Sequence, residues 1–194
     1  RSAQGYSSAA SDVYKRQMRI NGMEVNDLEA YVHTALECGV DFFDHADIYG
    51  GGESEAVFGK LLKQSPELRE QMVLQSKCGI RPGRYDFSKE HILESVEGSL
   101  KRLQTDHLDV LLLHRPDALM EPDEVAEAFT ALETSGKVRY FGVSNFNSRQ
   151  LELLQSSLKQ KILVNQLQLS IMHTGMIDHA LRTNCLLYTS DAAD

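Results

Sequence analysis

The sequence predicts an α/β fold, and within that class part of a (β/α) barrel, on three observations. First, strand-like and helix-like segments alternate without a break, which calls for parallel strands joined by crossover helices. Second, five consecutive strands end in polar residues: Asp44 and His45, Ser76 and Lys77, His114 and Arg115, Ser144 and Asn145, Asn165 and Gln166. A barrel gathers its C-terminal strand ends at one mouth, whereas a doubly wound sheet concentrates polar groups at its switch point. Third, no G-x-G-x-x-G follows the first strand. The glycine-rich "YGGGESE" has a different spacing, which argues against a Rossmann site.

The elements follow in order. Asn26 with Glu29 resembles a capping box, and Leu28, Val32, Ala35 and Leu36 make a helical stripe that ends at Gly39. "VDFFDHA" is a short apolar strand. Val57, Phe58, Leu61 and Leu62 form the apolar face of a helix around Glu55–Lys63, and "MVLQSK" is the next strand. Ser88 caps a helix in which Ile92, Val96, Leu100 and Leu103 recur at helical spacing. The unbroken apolar run of "HLDVLLLH" predicts a strand buried on both faces. Pro122 sits in the first turn of a helix that closes at Gly136. "KVRYFGVS" is a strand. Asn147 caps a helix carrying Leu151, Leu154 and Leu158, "KILVNQLQL" is the last strand, and a weaker helix start lies near Ile177.

Composition narrows the function. The chain has 194 residues, a net charge of −8 and 42 % hydrophobic residues, values of an ordinary globular domain. The acidic balance argues against a nucleic-acid partner and gives no reason to expect an anionic membrane. No apolar run approaches the roughly 20 residues of a spanning helix. Cys38, Cys78 and Cys185 have neither metal nor disulfide spacing, so a reducing cytoplasm is the simplest reading. Glu121, Asp123, Glu124 and Glu127 read as acids favoured at a helix N-terminus and not as metal ligands.

Asp44 and Tyr49 flank one strand end, Lys77 closes the neighbouring strand and His114 the one beyond. Taken singly, each has an ordinary structural explanation as a cap, a packed ring, a solvated charge or a hydrogen-bonded imidazole. Together they can do chemistry. An ammonium beside a phenol favours the phenolate, a carboxylate fixes the ammonium, and a histidine orients a carbonyl or helps relay a proton. Ser, Asn and Gln on the next two strands suit a nicotinamide carboxamide. Arg115 and Asp117 are expected to pair with each other. His45 can touch substrate or support the site from behind, and Cys78 is expected to be a buried, inert thiol.

"FFDHADIYGGGESE", "SKCG", "HLDVLLLHRPD", "GKVRYFGVSNF" and "NQLQLS" together resemble the aldo-keto reductases, in that family's order and spacing over residues 18–184. More narrowly, they resemble its bacterial NADP-dependent oxidoreductase branch. The resemblance implies an eight-stranded barrel that reduces aldehydes or ketones with NADPH, the strands here being the second through the sixth. It implies Asp44, Tyr49, Lys77 and His114 as the catalytic four, with Tyr49 the proton donor, and Ser144, Asn145 and Gln166 as nicotinamide contacts. Gln168 stands where the family often has Glu. The family's groups for the cofactor's pyrophosphate and 2′-phosphate lie on strands beyond those matched, so the chain by itself is expected to be inactive and to bind NADP(H) weakly or not at all.

Two other functions compete with a reductase. One is a non-enzymatic cofactor-binding regulatory member of the same family. The other is a lyase using Lys77 as a Schiff base, which would need a desolvated lysine. The ends of the chain are expected to be non-native. With one legitimate codon choice, Cys185–Asp194 has a reverse complement that, read one base in, encodes Ser8–Arg16 and then a codon that permits Gln17. Residues 1–17 and 185–194 are therefore expected to be unstructured, translated sequencing adapter around a partial barrel at 18–184.

Overall fold

The computed structural model describes Ile20 and residues 22–167. The expected tails, Gln168 and the helix expected near Ile177 lie outside the described residues. The elements are α1 (Val25–Glu37), β1 (Phe42–Asp44), α2 (Glu53–Gln64), β2 (Val73–Cys78), β3 (Ile80–Arg81), β4 (Arg84–Tyr85), α3 (Lys89–Leu103), β5 (Leu108–Leu113), α4 (Pro122–Thr134), β6 (Val138–Ser144), α5 (Ser148–Ser157) and β7 (Ile162–Gln166). Short 3₁₀ turns at Tyr49–Gly52 and Pro66–Gln71 and the β3–β4 hairpin are additions to the expected order. Their runs are too short to carry a period.

The five-stranded sheet has the order β1-β2-β5-β6-β7, every pair parallel. Spatial order equals chain order, and each helix packs against the next, from α1 on α2 to α4 on α5. Right-handed crossovers in a monotonic sheet place all helices on one face. This is barrel topology; a doubly wound sheet splits its helices between two faces.

The curl of the sheet can be measured. Four strand steps span roughly 19 Å in a flat sheet, far beyond side-chain reach. Yet Gln166 at the end of β7 donates to Asp44 at the end of β1 at 3.0 Å. The sheet therefore bends into a partial barrel with its strand ends converging.

Alternation divides the residues between the two faces. Phe43, Leu74, Leu111, Leu113, Phe141 and Val143 point to the helices and are buried there. Phe43 packs on Phe58 of α2 with ring centroids 5.5 Å apart, and Phe141 stacks on Phe129 of α4 at 4.1 Å. α2 and α3 approach so closely at Gly59 that a Cβ there would lie 2.0 Å from the Arg102 carbonyl oxygen. β5 is buried along its whole length, as its apolar run predicts.

The caps met expectation at two places and failed at one. Ser88 Oγ accepts from the His91 amide, and Asn147 with Gln150 forms a complete capping box. The box expected from Asn26 and Glu29 does not form. α1 starts at Glu24 without a side-chain cap. Asn26 and Glu29 instead accept from Gln64, and Glu29 also accepts from Ser65, at the end of α2. A neighbouring helix offers those carboxyl and amide oxygens donors, and tertiary pairing wins over the local motif.

Candidate active site

β1 ends at Asp44 and the chain turns at once into the loop that carries Tyr49. Gly50, Gly51 and Gly52 all have positive φ, between 62° and 94°. This run of left-handed residues is open to glycine and strained for other side chains. It folds the loop back so that Tyr49, 3 % exposed, returns to the mouth. Lys77 lies on the inner face of β2, two residues after Gln75. His114 follows β5 directly, its amide bonded to the Cys78 carbonyl at 2.9 Å.

The four side chains meet. Lys77 Nζ donates to Asp44 Oδ1 at 2.6 Å, to the His45 carbonyl at 2.9 Å and to Tyr49 Oη at 3.1 Å. The Asp44 and Lys77 side chains have no exposure. Asp44 also accepts from Gln75 at 2.6 Å and from Gln166 at 3.0 Å. The His114 ring sits edge-on to the Tyr49 ring, centroids 5.8 Å apart. Burial pulls the Lys77 pKa below its ordinary value, and Asp44 opposes that shift. Burial, then Lys77, pulls the His114 imidazole down to about 3, so His114 is neutral at physiological pH. Its Nδ1 is enclosed and has no hydrogen-bond partner among the described residues.

The expected nicotinamide contacts also assemble at this mouth. Ser144 Oγ donates to the Gln166 carbonyl at 3.2 Å, and Asn145 Nδ2 donates to Ser144 Oγ at 2.8 Å. Asn145 has φ 64°, a left-handed conformation that Asn tolerates better than most residues. Its amide is tied to the Gln166 carbonyl at 3.0 Å.

Other expectations are corrected or resolved. Arg115 and Asp117 form no ion pair among the described residues; Asp117 instead accepts from the Leu119 amide at 2.9 Å, because a local turn satisfies the carboxylate first. His45 is fully buried, its ring edge-on to Phe58 at 4.6 Å. One position after Asp44, alternation sends it to the helix side, behind the mouth. Burial pulls its pKa down to about 4. Cys78 is buried, and burial raises its thiol pKa well above the ordinary value, which fits an inert thiol. Glu124 and Glu127 bind Lys89.

Three residues near the site escaped sequence reasoning. Gln75 shares the inner face with Lys77, a relation that the two-residue spacing contains. Glu55 accepts from Ser76 Oγ at 2.5 Å and from Arg102 at 2.8 Å; only the packing of α2 and α3 on the sheet brings those partners together. Asp47 lies on the Tyr49 loop, its amide bonded to the Lys77 carbonyl at 3.0 Å. Among the described residues, no helix is long and apolar enough to cross a membrane.

Comparison with known proteins bears on the family and the fold. Residues 14–191 match the model of the aldo/keto reductase family. The chain is 49 % identical over 176 residues to the uncharacterized oxidoreductase YcsN of Bacillus subtilis (strain 168), covering 84 % of this chain and 59 % of YcsN. A probable voltage-gated potassium channel subunit beta of Oryza sativa subsp. japonica is 32 % identical over 134 residues, covering 68 % of this chain and 41 % of that protein. Among solved structures, the thermostable aldo-keto reductase Tm1743, in complex with the inhibitor epalrestat, superposes with a TM-score of 0.68 at 32 % identity, over 78 % of this chain and 53 % of that one. The chain thus spans a little over half the length of the oxidoreductases it matches. By its motifs, its partial barrel and the match along most of its length, the chain belongs to the aldo/keto reductase family.

Proposed function

We propose that this chain carries the catalytic mouth of a carbonyl reductase that converts an aldehyde or ketone to an alcohol with NADPH, Tyr49 supplying the proton. The observation behind the reading is the buried contact of Lys77 with both Asp44 and Tyr49, at 2.6 and 3.1 Å. The residues present fit a nicotinamide. Its carboxamide needs both a donor and an acceptor, and the Ser144 hydroxyl and Asn145 amide stand side by side at the end of β6. The reduced nicotinamide, when bound, supplies the hydride.

The protein's part is proton delivery and charge placement. Tyr49 gives its O–H proton to the carbonyl oxygen as negative charge gathers there, and Lys77 stabilises the phenolate that remains. Asp44 holds the ammonium in place. Neutral His114 can offer an N–H to the same carbonyl oxygen, which orients the substrate without competing as an acid. Burial gives Lys77 the desolvation that the lyase reading asks for, but its ammonium is engaged by Asp44 and Tyr49, which favours the reductase. Free thiols at Cys38 and Cys78 fit a reducing cytoplasm.

In a full-length reductase carrying this segment, Tyr49→Phe is expected to cut carbonyl turnover by about 10²–10⁴-fold with NADPH affinity unchanged. Equal turnover in the two proteins would sink the reading. The likeness to a channel beta subunit supports a second reading, a cofactor-binding regulatory protein. NADPH binding without turnover of aldehydes, ketones or quinones would select it. For the chain as written, we expect weak NADPH binding or none. Tight quenching of the chain's fluorescence by NADPH would overturn this.

A further inference from the structure

Glu55 is fully buried behind the cluster and takes no part in the proton transfer. Its carboxylate joins two elements. One oxygen accepts from Ser76 Oγ at 2.5 Å and the other from Arg102 Nε at 2.8 Å. Alternation along β2 turns Ser76 to the helices and its neighbours Gln75 and Lys77 to the mouth, so this tie lies one residue from Lys77. Glu55 stands in the first turn of α2, three residues after Gly52. Gly52 closes the left-handed turn that carries Tyr49. The bond between Glu55 and Ser76 therefore fastens the segment that presents Tyr49 to the strand that presents Lys77.

Arg102 backs this tie from the solvent side. It comes from the last turn of α3 and lies against two glycines. A Cβ at Gly52 would fall 2.9 Å from Arg102 Cδ, and one at Gly98 would fall 2.9 Å from Nη1. Glycine at both positions leaves room for the side chain to reach Glu55. Its Nη2 also donates to Ser99 Oγ at 3.3 Å. An enclosed carboxylate paired with a guanidinium and a hydroxyl is held in one place, because moving it would leave a buried charge short of a partner.

We infer that Glu55 is a positioning residue for Tyr49 and Lys77: clamped by Arg102, it holds the first turn of α2 on Ser76 and so fixes the contact between the ammonium and the phenol. That contact is 3.1 Å long, close to the upper end of the ordinary range of about 2.7–3.2 Å. A shift of α2 against β2 by a few tenths of an ångström is enough to weaken it. The other Lys77 bonds, to Asp44 at 2.6 Å and to the His45 carbonyl at 2.9 Å, come from β1 and do not depend on Glu55. The Asp47 amide ties the start of the loop to the Lys77 carbonyl, so the effect of Glu55 falls on the far end, at Tyr49 to Gly52. Loss of the brace therefore separates Tyr49 from Lys77 and leaves the ammonium on Asp44.

The importance of the contact rests on the proton-donor reading above; the first test needs no turnover. The tyrosine Cζ ¹³C signal, which responds to hydrogen bonding at Oη, is recorded by NMR in the full chain, with Tyr49 assigned through Tyr49→Phe. Ser76→Ala keeps the Glu55–Arg102 pair, and Glu55→Asp keeps the charge but shortens its reach. Each should move the Tyr49 signal, and the double variant should move it no further, since all three break one contact. Asn147→Ala weakens the fold elsewhere and should leave the signal in place. In a full-length reductase carrying this segment, Ser76→Ala should lower kcat by about 10-fold with the substrate KM unchanged. A Tyr49 signal unmoved by Ser76→Ala, or shifts that add in the double variant, would overturn the brace. A moved signal with unchanged kcat would overturn its role in turnover, and full turnover of Tyr49→Phe would instead place the fault in the proton-donor reading.

Discussion

The two ends of the sheet each bury a carboxylate, and they treat it differently. At the N-terminal end Asp109 is enclosed by Arg69 and Arg139, both at 2.8 Å, and accepts from the Leu74 amide at 2.9 Å. Two guanidiniums and a backbone donor leave it overcompensated and inert. At the mouth Asp44 has one cation among the described residues, and that cation is shared with Tyr49. Among the described residues, enclosed polar atoms without hydrogen-bond partners occur on the mouth side, at both His45 ring nitrogens, Gln75 Oε1, His114 Nδ1 and Asn165 Oδ1, and also at the other end, at His107 Nε2 and Gln160 Oε1. A buried polar atom without a partner destabilises a fold. What separates the ends is the charge balance: two guanidiniums hold Asp109, whereas Asp44 shares a single ammonium with a phenol, as expected for the two faces of a barrel.

The comparison can be broken most directly by Asp44→Ala. It strands the Lys77 ammonium in a buried site, a loss of about 3–5 kcal/mol. Adding Lys77→Met to Asp44→Ala should recover most of that stability. Chemical denaturation of the three proteins tests this, and a double variant no more stable than the single one would contradict the shared-charge account. Asp109→Asn should cost less, about 1–3 kcal/mol, because the Arg139 side chain is 57 % exposed and water can solvate it. It should leave Tyr49 and Lys77 undisturbed.

Acid should act mainly at the mouth. His45 and His114 are held at about 4 and about 3, below the ordinary 6.5. A depressed histidine gives stability that is fully present above 6.5 and is lost as pH falls towards the folded value. Thermal unfolding should therefore shift to lower temperature below pH 6.5. His45→Leu should flatten that slope, and an unchanged slope would count against burial as the cause. The smallest effect belongs far from both ends. Asn147→Ala removes a complete capping box from α5 and should cost about 1 kcal/mol without altering the pH slope.

Much of this arrangement was legible in the chain. Strand ends such as Ser76–Lys77 and Ser144–Asn145 announce themselves as polar pairs closing apolar runs. Ser88 and Asn147 cap helices because their partners lie three residues on. Asn26 and Glu29 show the limit: their spacing fits a capping box, yet α2 presents Gln64 and Ser65 as donors. Arg115 and Asp117 likewise stand close in sequence without pairing, since the Leu119 amide satisfies the aspartate.

By itself, then, the sequence determined the alternation of elements, the barrel class and the residues at each strand end. Those depend on local period and on chain order. Only the tertiary structure decided that Gln166 reaches Asp44 across the curled sheet, that Gln64 and Ser65 take Glu29, and that Arg102 reaches Glu55. These contacts join segments far apart in sequence, and no spacing encodes them. They follow from how far the sheet bends and how closely the helices lie against it.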